Sequence, residues 1–170
     1  FDTNGGTVQI DATQHGQVDL LNGAGGTVDL TTAGTIAGDT DVDNYEIVGG
    51  TNFEVGDADQ DATEDGGGIS TLDITGLDAT GTYANFESGD ILEVTGSATT
   101  AIDGADIGGI GTLNFNGNSL TFRSDRDQHD QLSTLSGTGG TIDYRLADSG
   151  TTTVTGRTGV DAYTSLGGNI

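Results

Sequence analysis

"TLNFNGNSLTF", residues 112 to 122, carries the sharpest local signal in the chain. Leu113 and Phe115 alternate with polar residues, Asn116-Gly117 follows, and Leu120 and Phe122 resume the alternation. Asn-Gly tolerates the two positive φ angles of a type I′ turn, whose twist matches that of paired strands. The pattern therefore predicts a β-hairpin with Leu113 opposite Leu120 and all four apolar side chains on one face. "EIVGGTNFEV", residues 46 to 55, reads the same way about its glycines. Hairpins imply antiparallel neighbours.

Outward from these turns the chain keeps a beat of ten. Gly6-Val8-Ile10, Gly16-Val18-Leu20 and Gly26-Val28-Leu30 repeat GxVx[IL], with Gln9, Asp19 and Asp29 on the opposite face. Such period-two alternation marks half-buried strands. Apolar pairs recur at Leu72/Ile74, Leu92/Val94, Leu113/Phe115 and Ile142/Tyr144, with Tyr83, Ile102 and Leu120 between them. Ten residues to a strand and about twenty to a pair fit two all-β architectures. One is an antiparallel β-sandwich of jelly-roll or immunoglobulin-like type; the other is a β-solenoid with about twenty residues per turn. The hairpin signals favour the sandwich, which is the expected fold. Recurring GGT tripeptides at 5, 25, 49 and 139 favour the solenoid.

No composition break divides the chain, so residues 1–170 read as one domain, with an acidic loop excursion at 39–68. No helix is expected; Arg123 to Leu135 holds at most a helical turn.

Composition narrows the function. Gly makes up 31 of 170 residues, and Pro, Cys, Met, Trp and Lys are absent. Thr, Asp and Gly around short apolar pairs suit strands and turns. The missing Met reads as a chain from which an initiator, signal peptide or larger precursor has been removed. No apolar run approaches the roughly 18 residues of a membrane span. Without Cys there is no disulfide or thiolate metal site, and without Lys no Lys–Asn isopeptide bond. A formal charge of −23, with four Arg as the only strong bases, argues against nucleic acid and anionic membranes and favours divalent cations.

The acids are patterned. "DTDVDNYE" (39–46) and "DADQDATE" (57–64) both read DxDxDxxE. Calcium takes six to eight oxygen ligands, and alternate carboxylates in a turn can converge on one ion. The candidate ligands are Asp39, Asp41, Asp43 and Glu46 in the first octet, and Asp57, Asp59, Asp61, Glu64 and Asp65 in and beside the second. Both octets depart from the EF-hand, with Asn44 and Ala62 where its Gly belongs and Gly50 and Gly68 where its bidentate Glu belongs. The five carboxylates between 57 and 65 repel one another, and a divalent ion offsets that repulsion. The alternative is a pair of solvated acidic loops. "SDRDQHDQ" (124–131) reads as an exposed, self-neutralising loop rather than a His129 metal site, and His15 as a turn residue.

"YANFESGDILEVTG", 83 to 96, through Phe86, Gly89, Asp90, Leu92 and Val94, resembles stretches of bacterial calcium-dependent secreted surface proteins, including RTX-type adhesins and surface-layer proteins. The RTX nonapeptide itself is missing; "GGIGTLNF" (108–115) has Leu113 where its ligating Asp belongs. The resemblance implies a secreted, cell-surface, calcium-rich setting.

No nucleophile–base motif, phosphate loop or HExxH is present, so no enzyme is expected. Tyr45, Tyr83, Tyr144 and Tyr163 are scattered and Trp is absent, which weakens a sugar platform. The expected function is a calcium-stabilised structural subunit of an extracellular surface layer, filament or matrix fibre. It would self-assemble by strand addition, with "GGTVQIDA" (5–12) as a strand to donate. The alternative is a calcium-dependent adhesin or carbohydrate-binding module of a larger secreted protein.

Overall fold

Asn116-Gly117 does turn the chain. Asn116 has φ 50° and Gly117 φ 76°, and the Asn118 N–H donates to the Phe115 carbonyl at 2.8 Å. Yet the strands on its two sides do not pair. The computed structural model describes residues 3–18, 21, 25–57, 59–75, 80–95, 101–103, 107–118, 121–124, 126–145 and 159–166, and every strand pairing in it is parallel.

β1 (Thr7–Ile10) leads into the one-turn helix α1 (Ala12–His15), then β2 (Thr27–Leu30), β3 (Thr35–Ala37), β4 (Asn44–Val48) and β5 (Asn52–Glu54). Next come β6 (Asp61–Asp65), β7 (Thr71–Thr75), β8 (Tyr83–Ala84), β9 (Ile91–Thr95) and β10 (Ala101–Asp103). The path ends with β11 (Thr112–Asn114), β12 (Thr121–Ser124), helix α2 (Arg126–Gln131), β13 (Thr134–Ser136), β14 (Thr141–Arg145) and β15 (Ala162–Leu166). The strands fall into three sheets, β1-β2-β4-β6-β8, β3-β5-β7-β9-β11-β13 and β10-β12-β14-β15. From β2 to β14 successive strands in the chain alternate between sheets, which makes a β-solenoid of about six turns.

This overturns the antiparallel sandwich and bears out the solenoid with about twenty residues per turn. The step between rungs is 17 residues from Thr27 to Asn44, 20 from Thr7 to Thr27 and 22 from Thr112 to Thr134. The physical reason lies at the strand edges. β11 already has β9 on one edge and β13 on the other, and β12 lies between β10 and β14, so no edge remains for a hairpin. The second expected hairpin fails alike: Thr51 N–H donates to the Val48 carbonyl at 3.2 Å beside Gly50 at φ 90°, but the turn hands the chain from one sheet to another. A tight turn dictates a change of direction and does not choose the partner strand.

Residues 39–68, expected as a loop, contain β4, β5 and β6. At 123–135 the expected helical turn is the six-residue α2. Asp19, Leu20 and Leu120, which mark the period in the sequence, lie outside the described residues, as do the side chains of Val94, Ile102 and Tyr144.

Parallel, in-register stacking turns the sequence period into columns. Ile36, Phe53, Leu72, Leu92, Leu113 and Leu135 each sit beside the next on the inner face of one sheet, and all are buried. Facing them, Val28, Tyr45, Ala62 and Tyr83 form a second buried column. Phe122 and Ile142 continue the apolar interior in the third sheet. Removing a central member leaves a cavity between two fixed rungs. Leu92→Ala is expected to cost about 2–5 kcal/mol in chemical denaturation, whereas Thr134→Ala on the exposed face changes stability by less than about 0.5 kcal/mol.

Candidate functional site

The two acidic octets occupy one corner of the solenoid on consecutive turns, with Asn44 beside Asp61. The octets repeat at 18 residues while the rungs advance by 17, so they are one residue out of step. That slip separates their closing acids. Glu46 lies beside Thr63 and faces out, exposed; Glu64 lies beside Ile47 and faces in, buried. A one-residue shift in strand register always moves a side chain to the opposite face.

The remaining acids serve different ends. Asp39 organises its own turn: Oδ2 accepts the Leu21 N–H at 3.0 Å and Oδ1 the Asp41 N–H at 3.3 Å. Asp61 Oδ1 accepts the Thr82 N–H at 2.7 Å. Asp41, Asp43, Asp59 and Asp65 are exposed, and Asp57 is half-buried with its carbonyl accepting the Gln60 N–H. The structure does not gather the nine candidates around one point. Among the described residues, no group of three or more His, Asp or Glu is arranged to hold a metal ion.

What joins the two turns is Gln60, a neutral residue inside the second octet and 1% exposed. Its Nε2 donates to the carbonyls of Asp39 (3.0 Å) and Val42 (2.7 Å), and its Oε1 accepts the Gly56 N–H (2.8 Å). Every polar atom of the amide is engaged, as burial requires.

Beside this corner, Tyr45 is fully buried. Its hydroxyl accepts the Asp39 N–H at 2.9 Å and meets His15 Nε2 at 3.2 Å, with ring centroids 5.7 Å apart. Because the hydroxyl already accepts from Asp39, its own proton is best placed on a neutral His15. Burial holds His15 below its ordinary value despite the nearby Asp39, and pushes Tyr45 up to about 12.

His15 is the last residue of α1, not part of an open turn, and α1 is fixed by a capping box between Asp11 and Gln14. The second histidine repeats the arrangement. His129, expected in an exposed loop, is 2% exposed, because α2 turns it inward to Tyr163, Nε2 to hydroxyl 3.4 Å and centroids 5.9 Å. The sequence carries a signal for this pairing: DxxQH at 11–15 and 125–129, then VDxY at 42–45 and 160–163. In each copy a short helix follows the strand and its histidine reaches a tyrosine two rungs on.

A third polar group brings together Glu64 and Asp90, which stand far apart in the sequence, through Ser70. Glu64, Ser70 and Asp90 are all buried and meet at the connection between β6 and β7. Asp90 belongs to the Phe-x-x-Gly-Asp stretch, where it shapes the turn into β9 by accepting the N–H groups of Ser70 and Glu87. Compared with known proteins, the chain matches no family model, no curated protein and no solved structure.

The His15–Tyr45 bond makes stability depend on acid. The folded value of His15 lies below its unfolded value of about 6.5, so the unfolded chain binds the extra proton first. Its contribution is complete above about pH 6.5 and is lost as the pH falls towards the folded value. In thermal unfolding followed by circular dichroism, the advantage of the wild type over His15→Gln should be constant above about pH 6.5 and shrink as the pH falls below it.

Proposed function

We propose that this chain is a structural unit of an extracellular assembly, a surface layer, filament or matrix fibre, in which identical subunits associate through the edges of the solenoid. The observation that carries the reading is the edge at β1. Val8 and Ile10 are only half-buried there, while Val28 and Leu30, their partners in β2, are buried at 0% and 2% exposure. The neighbouring sheet differs, since α1 packs along β3 and Ala12 N–H donates to Thr32 Oγ1 at 3.1 Å. A parallel edge with half-buried apolar side chains takes a further strand readily, because main-chain bonds supply affinity and the column supplies register.

Calcium enters this reading as a bridge between copies at the exposed acids Asp41, Asp43 and Asp59, where carboxylates of two subunits would share one ion. A secreted, cell-surface setting belongs to the same proposal. The burial of Tyr45 and Tyr83 favours it over a sugar-binding module, since neither ring can serve as a platform for a glycan.

The edge can be tested alone. Thr27 N–H donates to the Gly6 carbonyl and Thr31 N–H to the Ile10 carbonyl, so the even-numbered residues of β1 bond to β2 and Gln9 N–H points to the edge that no strand occupies among the described residues. Gln9→Pro removes that donor and leaves the β1–β2 ladder in place. Electron microscopy and light scattering should show assemblies for the wild type in calcium, smaller particles after chelation, and few or none for Gln9→Pro. Equal particle sizes in all three would contradict the proposal.

A further inference from the structure

The two His–Tyr contacts belong to a longer internal repeat. "DATQHGQVDLLNGAGGTVD" (11–29) and "DRDQHDQLSTLSGTGGTID" (125–143) are identical at ten of nineteen positions, at a constant offset of 114. The structure repeats with the sequence. β1 pairs with β2 with Thr7 beside Thr27, and β12 pairs with β14 with Thr121 beside Thr141, 114 residues on. One rung later the offset is 118, and Val28 beside Tyr45 becomes Ile142 beside Tyr163. β1, β2 and β4 therefore correspond to β12, β14 and β15.

Each end strand thus has a counterpart in the middle of a sheet. The counterpart of β1 is β12, and β10 lies along its other edge, parallel, with Ala101 beside Thr121 and Ile102 beside Phe122. There Phe122 is 1% exposed, whereas Val8, at the same place in β1, is half-buried. The counterpart of β15 is β4, which carries β6 in parallel with Ala62 beside Tyr45. Tyr45 is 0% exposed, whereas Tyr163 is half-buried. Among the described residues no strand occupies the outer edge of β1 or of β15. What covers both counterparts is the same thing, a parallel strand in register.

Charge selects which ends can meet. β1 (TVQI) and β15 (AYTSL) contain no charged residue, while β2, β4, β6, β10, β12 and β14 each contain at least one. In a chain of net charge −23, these two strands can lie side by side without setting like charges opposite each other. Two β1 edges related by a two-fold axis would run antiparallel and close at a dimer, and neither counterpart has an antiparallel neighbour.

We propose that β15 of one copy adds in parallel to β1 of the next, with Ala162 beside Thr7 and Tyr163 beside Val8, so that copies stack head to tail and continue the solenoid. This arrangement rests on the reading that copies associate through the solenoid edges, and adds which edges meet, in which direction and in which register. Such a contact is heterologous and leaves an edge at each end of the stack, so it yields an open filament rather than a closed ring or dimer.

Thr7 and Ala162 are both exposed, and the chain has no cysteine of its own. In the stack their Cα atoms would stand about 4.8 Å apart, within the reach of a disulfide. Full-length Thr7→Cys chains are mixed with Ala162→Cys chains in calcium and oxidised mildly. The mixture should give cross-linked dimers, and either variant alone should stay monomeric on a non-reducing gel. Dimers of Thr7→Cys alone mean that two β1 edges meet, and overturn the proposal. Assembly seen by light scattering without cross-links in the mixture overturns the head-to-tail register but leaves edge association standing; no assembly of the wild type overturns both. If the cysteine variants do not fold, fibre diffraction of the wild type decides. The strand spacing of about 4.8 Å should lie along the filament axis, and the same reflection across the axis overturns the stack.

Discussion

In-register parallel stacking is the constraint on which this structure depends. Each strand residue stands about 4.8 Å from its equivalents on the turns below and above, so a side chain must be compatible with its own kind repeated along a column. Apolar residues meet that demand easily, and Ile36, Phe53, Leu72, Leu92, Leu113 and Leu135 form an interior ladder without a polar member. Acids meet it poorly, and a chain of net charge −23 has to place many of them.

The outer face shows how that conflict is handled. Glu54, Asp73 and Glu93 stand in register on three successive turns. Burial, and then the carboxylates on either side, raise Asp73 above its ordinary range, while the Thr95 hydroxyl, at 2.7 and 2.9 Å from its two oxygens, works in the opposite direction. On the next rung the column changes to Asn114, and the amides of Asn114 and Asn116 both donate to Glu93 Oε1, at 3.1 and 2.6 Å. The Asn-Gly turn thus has a second role: its Asn neutralises the end of an acidic column. Among the described residues the column needs no cation to explain how its acids are accommodated.

Much of the fold is legible in the sequence, and what misled is specific. The twenty-residue spacing of Leu72, Leu92 and Leu113 is the solenoid period itself, and Ile74 and Phe115, the alternating partners of Leu72 and Leu113, are buried as expected. Asn116-Gly117 is a true turn whose partner strands cannot be read locally, because pairing depends on which edges are free in three dimensions. The acidic octets show the same limit. Their 18-residue repeat suggests two equivalent acidic turns, yet a one-residue difference from the 17-residue rung turns Glu46 outward and Glu64 inward. The bonds of Gln60 and Asp90 are not legible for another reason: they reach Asp39, Val42 and Ser70 on adjacent turns, and only the register brings these residues together. By contrast, the DxxQH and VDxY repeats lay open in the sequence and point to both His–Tyr contacts.

Because the chain contains no cysteine, a single engineered pair can ask which strand lies beside β11. Thr112 is in register with Thr134 one rung away, within the roughly 4.4–6.8 Å Cα separation a disulfide requires. A hairpin about Asn116-Gly117 would instead set Thr112 opposite Thr121. Mild oxidation of the two double variants, Thr112→Cys with Thr134→Cys and Thr112→Cys with Thr121→Cys, separates the arrangements. The solenoid predicts rapid intramolecular cross-linking of the first and none of the second. Cross-linking of the second pair alone would contradict it.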